Sequence, residues 1–433
     1  MAWRCRLCGK IKFLRGTKTN LNYLAFVIGN FRFLAFGFLL SFFSSFGQTY
    51  VISVFNPDIR AQFGLSHGDF GIVFAIATVG SALCLIWFGR MIDQTDLRRY
   101  TMTVLGGLVA ACLFMAAAPT TFFLFLALFA LRLTGQGLMV HTAATTMARY
   151  FEGARGKAVS LVSFGSPLGQ GLLAIAALAI SKSVGWRWTW AAFAALVVVG
   201  VVPLALWLLR GHKERHQSYI ERAAAQISPV RGVTLRWSRR EVLKDVRFYL
   251  ILPVLLAPSY ISTGFFFHMA HLVESKGWSL TDFTEAYFLY TVVLGAVSLI
   301  TGPIVDRIGA VRLLPYYMIP QGLAMLAIAG SDHPGAAVIF MLASGVTVGL
   351  RVTIGGAIWA EIYGVAHLGG IRALATAFMV FSTALAPVTM GWWIDWGVTM
   401  ESIALGCIVY AVLSSLLSWF ALRFGYEKMP AAG

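Results

Sequence analysis

Carboxylates are scarce in this chain: 18 Asp and Glu among 433 residues, against 34 Lys and Arg. Charged residues of both signs make up 12%, about half the share that covers an ordinary soluble domain. Cysteine is sparser still, at five residues. Cys84, Cys112 and Cys407 sit inside apolar runs, where a lone Cys acts as a small apolar residue, so no disulfide framework is expected. Cys5-x-x-Cys8, in a basic tail, offers two zinc ligands without a second pair or a nearby His, so neither a metal site nor a cofactor is expected. The apolar runs hold no His-Glu-x-x-His and no paired carboxylates, which argues against a membrane enzyme.

Apolar residues fill the space: they are 58% of the chain, and the mean hydropathy is +0.77. Runs of about 20 residues recur throughout, the length that crosses a hydrocarbon layer of roughly 30 Å as a helix. The sequence predicts an all-α membrane protein with twelve spans near 33–55, 68–89, 100–118, 121–148, 157–181, 187–209, 248–272, 281–304, 312–330, 335–362, 370–394 and 401–424.

A net charge of +16 suits either a nucleic-acid binder or a membrane protein with a positive-inside bias. Position decides between them. Only Arg60, Lys182, Arg187 and Lys276 fall on one side of the assigned spans, and only Arg132 and Arg351 lie inside them. All other cations lie on the opposite side, which is therefore cytoplasmic and holds both termini. No nucleic-acid partner is expected, and the partner is the bilayer. The expected organisation is a basic tail (1–32), a six-helix bundle (33–209), a cytoplasmic linker (210–247), a second six-helix bundle (248–424) and a short tail (425–433), in an inner membrane and as a monomer. The linker closes with Ser238-x-x-Glu241, a helix-start box.

The two bundles repeat each other. Ser66-x-x-Asp69-Phe70 opens the second span and Ser279-x-x-Asp282-Phe283 the eighth. The spacing of 213 residues between them persists at Gly89 and Gly302, Asp93 and Asp306, and Arg99 and Arg312. Arg155 and Arg372, each with a Phe nine residues later, continue the echo at a spacing of 217.

With a Gly-x-x-x-Asp loop and trailing Arg after spans 2 and 8, the chain resembles the major facilitator superfamily. The second copy fits that pattern with Gly302, Asp306, Arg307, Gly309 and Arg312. The first, with Gly89, Asp93, Arg98 and Arg99, departs from it, with Gln94 where a cation is usual and Asp96 where Gly is usual. Arg132-Leu-Thr-Gly-Gln136-Gly137 is similar to a second family signature, and Gly165-Ser-Pro167-Leu-Gly169-Gln-Gly171 to part of an antiporter signature. Ser44-Ser-Phe-Gly-Gln48-Thr-Tyr50 and Trp359-Ala-Glu361-Ile-Tyr363-Gly364 resemble bacterial members related to monocarboxylate porters. The resemblance implies two pseudo-symmetric bundles rocking about a midplane site lined by spans 1, 4, 7 and 10. It also implies latches of Asp93 with Arg372 and of Asp306 with Arg155 that close the cytoplasmic side.

Arg132 and Arg351 carry the functional expectation. At about 1.5 Å rise per residue both lie deep in their spans, where a cation costs on the order of 2.5–3.5 kcal/mol unless it faces water or a partner. No span holds a central carboxylate, so an anionic substrate is the natural counter-charge. Gln48, Gln136, Tyr260 and Thr347 are the expected hydrogen-bonding residues beside them. His268, His271 and Glu285 are candidates for coupling to protons, the alternative being exchange with a counter-substrate. Trp186, Trp188, Trp190, Trp392, Trp393 and Trp396 mark an interfacial belt. The expectation is a carrier of small organic anions, with drug efflux and a non-transporting sensor as alternatives.

Overall fold

The computed structural model describes residues 25–151, 155–212, 214–217, 237, 239–364 and 368–426. Among them ten helices are long and apolar enough to cross a membrane: α2 (His67–Ile92), α3 (Leu97–Ala117), α4 (Thr121–Tyr150), α5 (Lys157–Val184), α6 (Trp186–Leu208), α7 (Val246–Phe267), α8 (Leu280–Ile308), α10 (Gly335–Tyr363), α11 (Gly370–Asp395) and α12 (Met400–Arg423). A bent pair, Phe31–Gly47 with Thr49–Phe63, forms α1, and the shorter apolar helix Ile319–Gly330 is α9. The Cys5–Cys8 pair and Ser238 lie outside the described residues.

Local chemistry sets the helix ends. Ser66 Oγ accepts from Asp69 N at 3.0 Å while Asp69 Oδ2 accepts from Ser66 N at 3.2 Å, a complete capping box. At the pseudo-equivalent Ser279 only the forward bond forms, at 3.4 Å. The unusual Asp96 is also a cap: Oδ1 accepts from Arg98 N and Arg99 N at 3.0 and 3.1 Å. Its counterpart Gly309 has φ +90° and no side chain to offer. Glu361 of α10 supplies the acceptor instead, taking Ala310 N and Val311 N at 2.8 and 3.1 Å. The first-half departure from the repeat is thus a cap moved into the loop itself.

Two expectations about spans need correction. The ninth does not run unbroken from 312: a short helix, Ala310–Leu313, is followed by turns, and α9 starts only at Ile319. Pro315 and Pro320 remove the backbone donors that a continuous helix would use. The seventh stops at Phe267, where His268 leaves helical geometry before the short helix Met269–Ser275. The tryptophan belt is also only partial. Trp188 and Trp396 are 72% and 73% exposed, but Trp186 and Trp190 are buried, Trp190 against Phe55 and Phe193.

The halves meet along α2 with α11 and α5 with α8. At the end away from the linker, the backbones of α2 and α11 nearly touch: a Cβ on Gly71 would lie 2.6 Å from Pro387 O, and one on Gly391 2.6 Å from His67 O. Asp395 accepts from His67 N and Gly68 N at 3.0 and 2.7 Å, and Asn56 Nδ2 donates to Phe267 O at 2.8 Å. Between α5 and α8, Lys182 donates to Thr281 at 2.6 Å and Thr291 to Pro167 O at 2.9 Å. Phe164 packs on Gly295 further in.

Lys276 ties the loops at this far end together. Its side chain is buried and bonds Asp332 Oδ1 at 2.6 Å and Glu401 Oε1 at 2.7 Å. Burial works against its charge, but the two carboxylates outweigh it and raise its pKa.

Candidate functional site

Helix α1 breaks where it faces the centre. Ser44–Gly47 tightens into a 3-10 turn and Gln48 is extended, so the Gly47 carbonyl loses its helical donor. Arg132 of α4 supplies one. Its Nη1 donates to Gly47 O at 3.2 Å and to Thr49 Oγ1 at 3.4 Å, its Nε to Thr78 Oγ1 at 3.1 Å, and its guanidinium lies 4.9 Å from the centroid of the Phe74 ring. From Arg132 to Met139, α4 winds as a π-helix, an irregularity that recurs at functional sites. Helices α1 and α4 approach through Gly47 and Gly135: a Cβ on Gly47 would lie 2.1 Å from Leu131 O, and one on Gly135 2.7 Å from the Gly47 Cα. A broken span tolerates its freed backbone groups only where protein or a wet cavity satisfies them.

Beside this break lies a central cavity of about 230 Å³, lined from both halves by Gln48, Thr49, Tyr50, Arg132, Gln136 and Gln170, and by Ser259, Ser262, Thr263, Phe266, Tyr290, Arg351, Met379 and Thr383, among others. None of its lining residues is a carboxylate. A second cavity of about 300 Å³ shares Arg351 and Met379 with it and holds Arg372 and Trp359. It leads from the centre toward the linker end.

The two central arginines differ in how they are held. Arg132 is 2% exposed and bound as described. Arg351 donates from Nη1 to Met379 Sδ at 3.3 Å, a weak acceptor, and its Nε is buried without a partner. Ser262 Oγ, on the same cavity, is also buried and unpartnered. Gln48 and Gln136 line the cavity.

Other sequence candidates lie elsewhere. Tyr260 points away from the cavity and bonds Thr389 of α11. Thr347 is fully buried and donates to Ala343 O at 3.1 Å. The cavity stripe of α7 is Ser259, Ser262, Thr263 and Phe266. That i, i+3, i+4, i+7 face was readable from periodicity; Tyr260 belongs instead to the stripe that leads to His268 and His271. Tyr290, Gln170 and Thr383 come from α8, α5 and α11, outside the spans 1, 4, 7 and 10 that the family resemblance implies as the lining.

His268 and His271 are at the closed end, not at the cavity. His268 Nε2 donates to Pro387 O at 3.0 Å, and the His67 ring lies 5.5 Å from that of His268 and 4.8 Å from that of His271. Glu285 is exposed on the surface of α8. Of the latch residues, the side chains of Asp93 and Arg155 lie outside the described residues. Arg372 faces the second cavity, 3.2 Å from where a Gly356 Cβ would stand. Gly89 is packed by His141, which bonds its carbonyl at 3.1 Å. Arg98 and Arg99 are exposed, and so is a Cβ position at Gly302. Asp306, Arg307, Gly309 and Arg312 line a surface cavity with Glu361.

The small residues of the Gly-Pro stretch are accounted for by packing. Cβ atoms on Gly165 and Gly169 would lie 2.7 Å from Phe38 O and 2.2 Å from Ser45 Oγ, both on α1.

Comparison with curated protein sequences finds no match. Among solved structures the fold is similar to that of a bacterial homolog of the human lysosomal transporter Spinster, in an inward-facing and unoccupied conformation. The TM-score is 0.66 at 13% identity, over 93% of this chain and 98% of that one. The profile of the Major Facilitator Superfamily matches residues 37–297. Matched over more than half its length, the chain belongs to the Major Facilitator Superfamily and is a multi-pass membrane transporter rather than an enzyme.

Proposed function

We propose that this transporter carries a small organic anion, most simply a carboxylate, through the central cavity by alternating access, coupled to protons or to a counter-substrate. The observation that carries the reading is a pair of cations, Arg132 and Arg351, in one cavity whose lining has no carboxylate, with Arg351 Nε buried and unpartnered. A half-buried guanidinium with a free donor is a site for a planar anion. Arg132 is already committed to α1, so Arg351 is the substrate residue and Arg132 holds the break that shapes the cavity. Gln48, Gln136 and Ser262 supply neutral hydrogen bonds.

Placement of the cations supports an inner-membrane topology with both termini cytoplasmic. On that topology the closed end is external and the present state faces inward. Asp93 with Arg372, and Asp306 with Arg155, pair only when the carrier closes its cytoplasmic side. Here Arg372 lies in the open vestibule. His268 and His271, with His67, are the proton-coupling candidates, because they meet where the external gate closes. The likeness of the Gln48 and Trp359 stretches to bacterial monocarboxylate porters agrees with an acidic substrate.

The test is transport by purified protein in liposomes, with labelled carboxylates, phosphates and cationic dyes, each with and without a pH gradient. Uptake of carboxylates is expected. Flux of cationic dyes alone would make this an efflux carrier, and no flux of any solute would favour a sensor.

A further inference from the structure

The outer surface of the second half carries a groove that shares no lining residue with the central cavity. Its origin is the break before α9. Pro315 and Pro320 keep the chain from Leu314 to Met318 in turns, and α9 itself is only 12 residues, about 18 Å at 1.5 Å per residue. That is too short for a hydrocarbon layer of roughly 30 Å. The missing turns leave a gap beside α12 at the linker end, an apolar cavity of about 570 Å³. It runs along α12 from Ile408 to Trp419, which at 1.5 Å per residue is about 16 Å. Half of a hydrocarbon layer is about 15 Å. The groove is therefore one leaflet deep.

At its linker end the groove opens into a second cavity of about 950 Å³, with Pro315, Tyr316 and Trp419 common to both. The chemistry changes there. Arg307, Arg312 and Arg423 line the mouth with Asp306 and Glu361. Three cations face two carboxylates there, and Glu361 turns both of its oxygens to the amides of Ala310 and Val311, so the mouth is net positive. Arg423 lies 4.9 Å from the Trp419 ring, at the junction of the apolar and charged parts. The length of the groove, its apolar wall and its cationic mouth describe one molecule: a chain lying in a single leaflet, ending in a negative group at the interface.

We propose that the groove between α9 and α12 binds an anionic glycerophospholipid of the leaflet on the linker side, with an acyl chain along α12 and the phosphate among Arg312, Arg423 and Arg307. Anionic lipids are abundant on the cytoplasmic face, where each nearby Lys or Arg strengthens binding by about fivefold. The site is independent of the transported substrate.

Native mass spectrometry of the purified full-length protein, with phosphatidylglycerol or phosphatidylcholine added after delipidation, reads this out. The wild type is expected to retain phosphatidylglycerol preferentially. The R312Q/R423Q variant is expected to weaken it by about thirtyfold, and either single change by about fivefold, should the double variant fail to fold. Gly322 lines the groove and has nothing within 4 Å of a Cβ position, so Gly322→Leu starts a side chain into open space in the seat and should reduce retention of both lipids. R98Q/R99Q, on the other half, removes the same charge from the linker side and should leave retention unchanged. Equal retention of the two lipids by the wild type, an equal loss in the R98Q/R99Q control, or displacement of the lipid by an equal concentration of glycerol phosphate would each overturn the proposal.

Discussion

Replacing Arg351 with glutamine is expected to stabilise the empty protein while weakening its response to anions. Its Nε is buried without a partner, and Nη1 has only the Met379 sulfur at 3.3 Å. Removing the guanidinium therefore forfeits no strong bond and relieves a partly desolvated charge, a gain on the order of 1 kcal/mol or roughly 2 °C in Tm. The same change at Arg132 should act in the opposite direction. It loses bonds to Thr78, Gly47 and Thr49, each worth about 1 kcal/mol, and leaves the Gly47 carbonyl orphaned, for a net loss of about 2–4 kcal/mol. Thermal unfolding in detergent, with and without saturating carboxylate, separates the two. In the wild type, anion at a hundred times Kd adds about 2.7 kcal/mol. Losing one charge-assisted bond weakens anion binding by about 10- to 150-fold, so at the same anion concentration Arg351→Gln should keep a shift of only about 0.3–1.4 kcal/mol. An Arg351→Gln protein that melts as low as Arg132→Gln, or shifts with anion as far as the wild type, would refute the distinction between a substrate arginine and a structural one.

Gly47→Ala should be poorly folded, with a loss of about 3 kcal/mol or more, because its Cβ would meet the Leu131 carbonyl at 2.1 Å and backbone cannot yield as a side chain does; monodispersity on gel filtration checks it. Asp395→Ala removes the acceptor for His67 N and Gly68 N at the closed end. It should favour the state open on that side by about 1–2 kcal/mol, since the carboxylate is exposed, and spin-label distances between α2 and α11 would report the shift. Lys276→Met should lower Tm by several degrees through loss of its bonds to Asp332 and Glu401. Because the Lys276 pKa is raised on folding, its contribution is fully present below the ordinary lysine pKa and lost as pH climbs through the raised one, so the wild-type and variant melting curves should converge only in strong alkali.

How far the chain announces its own architecture is clearest at the repeat. The Ser66 and Ser279 starts, the Asp93 and Asp306 loops and the two deep arginines were legible because a bilayer imposes strict rules on length and charge. The first cap is complete and the second partial, a difference that the shared motif could not reveal. Asp96 looked like a defect in a loop signature. Only the structure shows it doing for α3 what Glu361 does across space for the helix beginning at Ala310.

The sequence by itself determined which stretches enter the membrane, that they repeat in two halves, and that two cations lie where no carboxylate can answer them. Hydrophobic period and charge placement are local properties, readable one residue after another. Only the tertiary structure decided which face each helix turns to the centre, and hence that Ser262 and not Tyr260 meets the cavity. It also decided that Arg132 is spent on the broken backbone of α1 while Arg351 is left with an unpartnered nitrogen. A guanidinium reads the same in any span, and its role depends on the carbonyls and hydroxyls that packing brings within about 3 Å of it.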